Sequence, residues 1–128
     1  MKKYPNVSVK IIFKYKNKVL MLHQRNGKFD FPGGRIEWEE SPLAALNREL
    51  KEELNYSLRK EPQLFSVWSY ISKNKRRHTI LIDYIYPLAK KSEFFSLEKA
   101  KPLWLTKEAL MRIIKDKKFV KKIFDFKF

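Results

Sequence analysis

The chain has 128 residues and a 44% hydrophobic, 15% aromatic composition, enough for one domain with its own core, and this excludes a disordered polymer. It has no cysteine, which excludes disulfides and thiol nucleophiles and fits a reducing compartment. The formal charge of +15 suits polyanions such as nucleotides or RNA, but the lysines are spread through the whole chain and single out no partner.

No apolar run approaches the roughly 18 residues of a membrane span. The start, MKKYPNVSVK, lacks the apolar stretch of a signal peptide, so a cytoplasmic location is expected. Residues 7–15 alternate Val7, Val9, Ile11 and Phe13 with Ser8, Lys10, Ile12 and Lys14, which predicts a strand. A turn at 16–18 and a second strand at 19–23 make a hairpin. His23 stands alone and reads as structural. After a polar loop, residues 29–31 are extended and end at Pro32, which disfavours helix before it. Pro32-Gly33-Gly34 allows a tight turn and a close approach of ligand to backbone.

Ser41 and Pro42 read as N-cap and first helical residue of a helix over 42–54. Leu43, Leu46, Leu50 and Leu54 form its core stripe. Strands follow at 64–72 and 78–88, joined by the basic turn Lys73-Asn74-Lys75-Arg76-Arg77; the second is the most strand-like segment and is expected inside a sheet. Asp83 within it is expected on a solvated face, the alternative being a place in a cleft. Residues 89–102 form a loop with Glu93 and Glu98. Residues 103–105 are a short strand, Thr106 caps a further helix, and the tail KDKKFVKKIFDFKF is expected to dock on the body through Phe119, Ile123 and Phe126. This order of elements suggests a mixed sheet with helices on both faces.

The chain is organised around FPGGRIEWEESPLAALNRELKEELNY. Its helix brings Glu49, Glu52 and Glu53 together beside the leucines. Like charges at this spacing repel. Either they form a solvated face neutralised by Arg48 and Lys51, or they hold a hard divalent cation, for which oxygen ligands are the natural partners. The surrounding spacing favours the cation: Gly34, five residues, Glu40, seven residues, Arg48-Glu49-Leu50, one residue, Glu52-Glu53, one residue, Asn55-Tyr56. The stretch resembles the Nudix box, G-x5-E-x7-R-E-U-x-E-E-x-G-U, where U is bulky and apolar. Asn55 replaces the last glycine and Tyr56 the last aliphatic residue. Asn still tolerates a left-handed helix end.

The resemblance implies an α/β fold, the Nudix α/β/α sandwich with a mixed sheet between helices, as one domain over 1–128. It implies a Mg²⁺- or Mn²⁺-dependent hydrolase that cleaves the diphosphate linkage of a nucleoside diphosphate joined to another group. Glu49, Glu52 and Glu53 would be the metal-binding and catalytic residues, with the Gly33 carbonyl as a further ligand. Gly34, Glu40 and Arg48 would orient them. The general base would be a helix glutamate or a loop glutamate, Glu98 before Glu93. Arg25, Phe31 and Arg77 are candidates for substrate binding. The proline that ADP-ribose hydrolases tend to carry about fifteen residues beyond the box is absent, and so are the coenzyme A and NADH hydrolase signatures. Tyr70 lies near, but not at, the tyrosine position of dinucleoside polyphosphate hydrolases. Arg77-His78-Thr79-Ile80 loosely resembles the nucleoside triphosphate pyrophosphohydrolases, and that substrate class is expected. The alternatives are an RNA 5′-end pyrophosphohydrolase, or a non-catalytic RNA- or nucleotide-binding module on the same fold. An isomerase of this fold would need a cysteine that is missing. A monomer and a homodimer are equally compatible with the sequence.

Overall fold

A computed structural model describes residues 3–90 and 100–128 of the chain. At its centre is β1 (Asn6–Tyr15). Val9, Ile11 and Phe13 enter one core and Ile12 the other, all fully buried. Burial on both faces is what a strand covered by helices above and below requires. β1 pairs antiparallel with β2 (Lys18–His23) and with β4 (Gly33–Arg35), and parallel with β6 (His78–Pro87) from Asn6↔Thr79 to Lys14↔Pro87. β2 also pairs with β3 (Phe29–Asp30) and with β7 (Lys101–Thr106). β5 (Gln63–Ile71) adds antiparallel to the far side of β6, with a bulge between Leu64 and Ser66. β6 is therefore an interior strand, as its composition predicts.

Helix α1 (Pro42–Leu54) begins where Ser41 Oγ accepts the Ala44 N–H at 3.1 Å. It ends at Asn55, in the left-handed conformation at φ 51°, with the Asn55 and Tyr56 N–H groups closing on the Lys51 and Leu50 carbonyls. Tyr56 packs edge-on against Phe13, ring centres 5.3 Å apart, so the second departure from the box fills core space. Ala45, Leu46, Leu50 and Leu54 pack on Val9, Ile11 and Phe13. Leu43, expected in that stripe, is only half-buried, and Ala45 lies in the core instead.

The other face carries α2 (Lys107–Ile113) and α3 (Lys117–Asp125). Leu110, Val120 and Ile123 bury against Ile12, Val19, Met21 and Ile85. The tail thus docks as expected. Lys14 reinforces it by donating from Nζ to the Ile123 and Phe124 carbonyls at 3.0 and 2.9 Å, a cation at the carbonyl end of α3. The result is a mixed sheet between α1 on one side and α2 and α3 on the other.

Candidate active site

Two adjacent glycines set the backbone of the site. Gly33 has φ +134°, and a side chain there would run into the Val9 carbonyl of the neighbouring strand. Glycine is required both by the conformation and by the close strand approach. Gly34 needs to be bare for a different reason: a β-carbon would overlap the Glu49 carboxylate. The Gly33 N–H donates to Glu53 Oε1 at 2.8 Å, and Glu53 is buried. α1 is thereby fixed to β4 through a carboxylate and a backbone amide.

Arg48 organises the remaining acids. Its Nε and Nη2 donate to Glu40 Oε2 and Oε1 at 2.7 and 2.9 Å, a two-pronged pair. Nη1 donates to Glu49 Oε1 at 3.0 Å and reaches Glu52 Oε2 at 3.5 Å, while Nη2 also donates to the Arg35 carbonyl at 2.9 Å. Glu40 accepts the Glu37 N–H at 2.8 Å as well. The hydrogen bonds from Arg48 and from the Glu37 amide, and the Arg48 charge, hold the Glu40 carboxyl down to about 2. The same bond to Glu40 pushes the Arg48 guanidinium up, so both partners stay charged at neutral pH.

The donor set suits a hard cation. Glu49 and Glu53 offer carboxylate oxygens beside the glycine backbone, Glu52 adds another on the outer side next to Arg48, and the bare Gly34 leaves the Glu49 carboxylate its place. Among the described residues no three His, Cys, Asp or Glu side chains close into a ready-made cage. Mg²⁺ takes one or two carboxylates together with water and substrate phosphate, and does not need such a cage.

A sequence profile of the NUDIX domain matches residues 2–125. The chain belongs to the Nudix family. It is 33% identical over 127 residues to an ADP-ribose pyrophosphatase of Methanocaldococcus jannaschii, covering 88% of this chain and 73% of that protein. Its fold resembles that of a MutT Nudix hydrolase from Burkholderia pseudomallei, with a TM-score of 0.80, 20% identity and coverage of 94% and 99% of the two chains. The E. coli dihydroneopterin triphosphate pyrophosphohydrolase matches with a TM-score of 0.74, 19% identity and 97% of each chain. The protein is a Nudix hydrolase of the pyrophosphohydrolase kind.

The Nudix box residues Gly33, Gly34, Glu40, Arg48, Glu49 and Glu53 all meet at the start of β4 and the inner side of α1. Glu52 faces outward and is half-exposed beside Arg48. Glu98 and Glu93 lie outside the described residues. Arg25 and Arg77 are exposed, and no side-chain contact among the described residues joins either to the acidic helix. Phe31, a candidate for stacking on substrate, is buried in the core under α2 and α3, so its ring is a core element and not an open surface. His23 stacks on Phe29 at 4.3 Å, consistent with a structural role.

Asp83 corrects another expectation. It is not solvated but 2% exposed, accepting from Ser66 Oγ at 2.9 Å and Trp68 Nε1 at 2.7 Å. Burial pushes its carboxyl up, against the two hydrogen bonds and the nearby Lys10 charge. An acid within an otherwise apolar strand was the visible signal, but its partners on β5 were not readable from spacing. The contacts of Glu37 and Arg35 with the Glu40–Arg48 pair were missed for the same reason.

Proposed function

We propose that this Nudix hydrolase is a divalent-metal-dependent pyrophosphohydrolase of nucleoside triphosphates. The observation that carries the reading is the set of box carboxylates held by Arg48 and the Gly33 amide beside a bare glycine backbone. Glu49, Glu52 and Glu53, with the Gly33 carbonyl, would hold Mg²⁺ or Mn²⁺, which when bound polarises phosphoryl oxygens and acidifies water. The chain's own residues do the positioning. Arg48 ties Glu40, and with it the β4–α1 loop, to the helix and orients Glu49. The Gly33 N–H orients Glu53. A water attacks phosphorus, the anhydride P–O bond breaks, and the proton goes to a glutamate of α1 or to Glu98.

The M. jannaschii relative supports a second reading, ADP-ribose as substrate. The test is a product assay with Mg²⁺ on nucleoside triphosphates, ADP-ribose, dinucleoside polyphosphates and 5′-triphosphate RNA. Triphosphates are expected to give monophosphate and pyrophosphate with the highest kcat/KM. A tenfold preference for ADP-ribose replaces the first reading with the second, and a tenfold preference for RNA makes the protein an RNA 5′-end enzyme. No hydrolysis of any of them leaves a binding module.

A further inference from the structure

Asp83 is a titratable group that the acidic helix does not use. Only its Oδ2 is engaged, by Ser66 and Trp68. Oδ1 has no hydrogen-bond partner among the described residues. No described side-chain polar atom is both sealed from solvent and unpaired, so Oδ1 keeps some contact with solvent. A nearly buried carboxylate with one unengaged oxygen in contact with solvent is a specific acceptor.

Its place in the sheet connects it to the box. The core under α2 and α3 ends at Ile12, Ile85 and Phe65. The next row on the same face is Lys10 and Asp83, with Ser66 opposite Asp83 on β5. The bulge after Leu64 brings Ser66 round to the side already taken by Phe65. Lys10 is held by Asp30, Nζ to Oδ2 at 2.8 Å, and on its other side it lies in register with Gly33. Gly33, Lys10 and Asp83 therefore form one cross-strand row, and at about 4.8 Å per strand Asp83 stands about 10 Å from Gly33. That is the scale of a nucleotide from its phosphates to its base. Beside Asp83, Trp68 is pinned by its own Nε1–H bond while 45% of the residue stays exposed, giving a fixed aromatic surface.

We propose that Asp83 and Trp68 form the base-reading subsite, with Asp83 Oδ1 accepting a hydrogen bond from an exocyclic amino group and the exposed Trp68 ring carrying the base. This rests on the nucleotide pyrophosphohydrolase reading above. Ser66 is a positioning residue: with Trp68 it engages Oδ2 and leaves Oδ1 to the ligand.

The experiment compares kcat/KM for GTP against ITP, which lacks the 2-amino group, and for CTP against UTP, in which a keto group replaces the amino group. Wild type is expected to prefer the amino-bearing member of at least one pair by about tenfold, the scale of one site built around a hydrogen bond. In Asp83→Asn the side-chain oxygen can still accept from Ser66 and Trp68, while an NH₂ group stands where Oδ1 was. The preference should then invert towards ITP or UTP, with an unchanged circular dichroism spectrum. Trp68→Ala should raise KM for all four and leave kcat within about threefold. Equal rates on all four in wild type overturn the subsite and leave the hydrolase reading standing; the same holds for a preference that survives Asp83→Asn. Hydrolysis of none of the four overturns both. The wild-type comparison does not depend on any variant folding.

Discussion

The two sides of the sheet treat their carboxylates in opposite ways. On the α1 side, Glu40 meets the Arg48 guanidinium through two hydrogen bonds, and its carboxyl is held down to about 2. On the α2–α3 side, Asp83 has neutral donors, Ser66 and Trp68, and the nearby Lys10 is already paired with Asp30; burial pushes Asp83 up. The contrast shows that proximity to charge is not enough. Glu40 is only part-buried and its two-pronged ion pair outweighs a modest desolvation, whereas Asp83 is buried and two neutral hydrogen bonds and a shared cation do not offset that burial. One side holds Glu40 ionised against a charged partner, and the other holds Asp83 buried among neutral donors.

The strongest way to break the comparison is to remove charge on the α1 side. Glu52→Gln and Glu53→Gln should each lower kcat by about 100-fold or more, because a neutral amide is a poor ligand for a hard cation. The fold should survive, since a glutamine oxygen at position 53 can still accept the Gly33 N–H. Steady-state rates with circular dichroism check this, and near wild-type turnover in both variants would remove the helix from the chemistry.

The paired glycines separate folding from function. Gly33→Ala should cost about 3 kcal/mol or more in urea melts, from a strained backbone and a collision with the fixed Val9 carbonyl. The nearest atoms to a Gly34→Ala side chain belong to the movable end of Glu49, so stability should change by less than about 1 kcal/mol while kcat falls by roughly tenfold from a displaced carboxylate. Equal effects on stability would show that Glu49 is not free to move aside.

The smallest effects sharpen the electrostatic contrast itself. A depressed carboxyl stabilises the fold above its unfolded value, and that stability is lost as pH falls through the folded value. The Glu40 contribution should disappear between the ordinary 4.5 and about 2, so Tm should fall less steeply over that window in Glu40→Gln than in wild type. Asp83 has the reverse sign. Its folded carboxyl is raised, so ionising it costs stability as pH rises above the ordinary 3.8. Asp83→Asn should melt a few degrees higher than wild type at neutral pH, and the gain should vanish in acid. Thermal melts across pH test both, and parallel curves for the two variants would erase the contrast.

What the sequence determined by itself is the part that depends on near neighbours. α1 runs from Pro42 to Leu54 because Ser41, Pro42 and Asn55 set its ends locally, and its Arg48, Glu49 and Glu53 fall at helical spacing whatever surrounds them. The same holds for the β1–β2 hairpin and for the Thr106 cap of α2. Tertiary structure alone decided what depends on partners distant in the chain. The Gly33 amide meets Glu53 across twenty residues, Phe31 turns inward beneath α2 and α3, and Leu43 stays at the rim. Asp83 is buried because β6 lies between β1 and β5, and it is satisfied because a bulge places Ser66, and the sheet register places Trp68, where its Oδ2 can accept from both. Spacing fixes the direction of a side chain on its own element, but burial and pKa depend on what the other elements bring up against it.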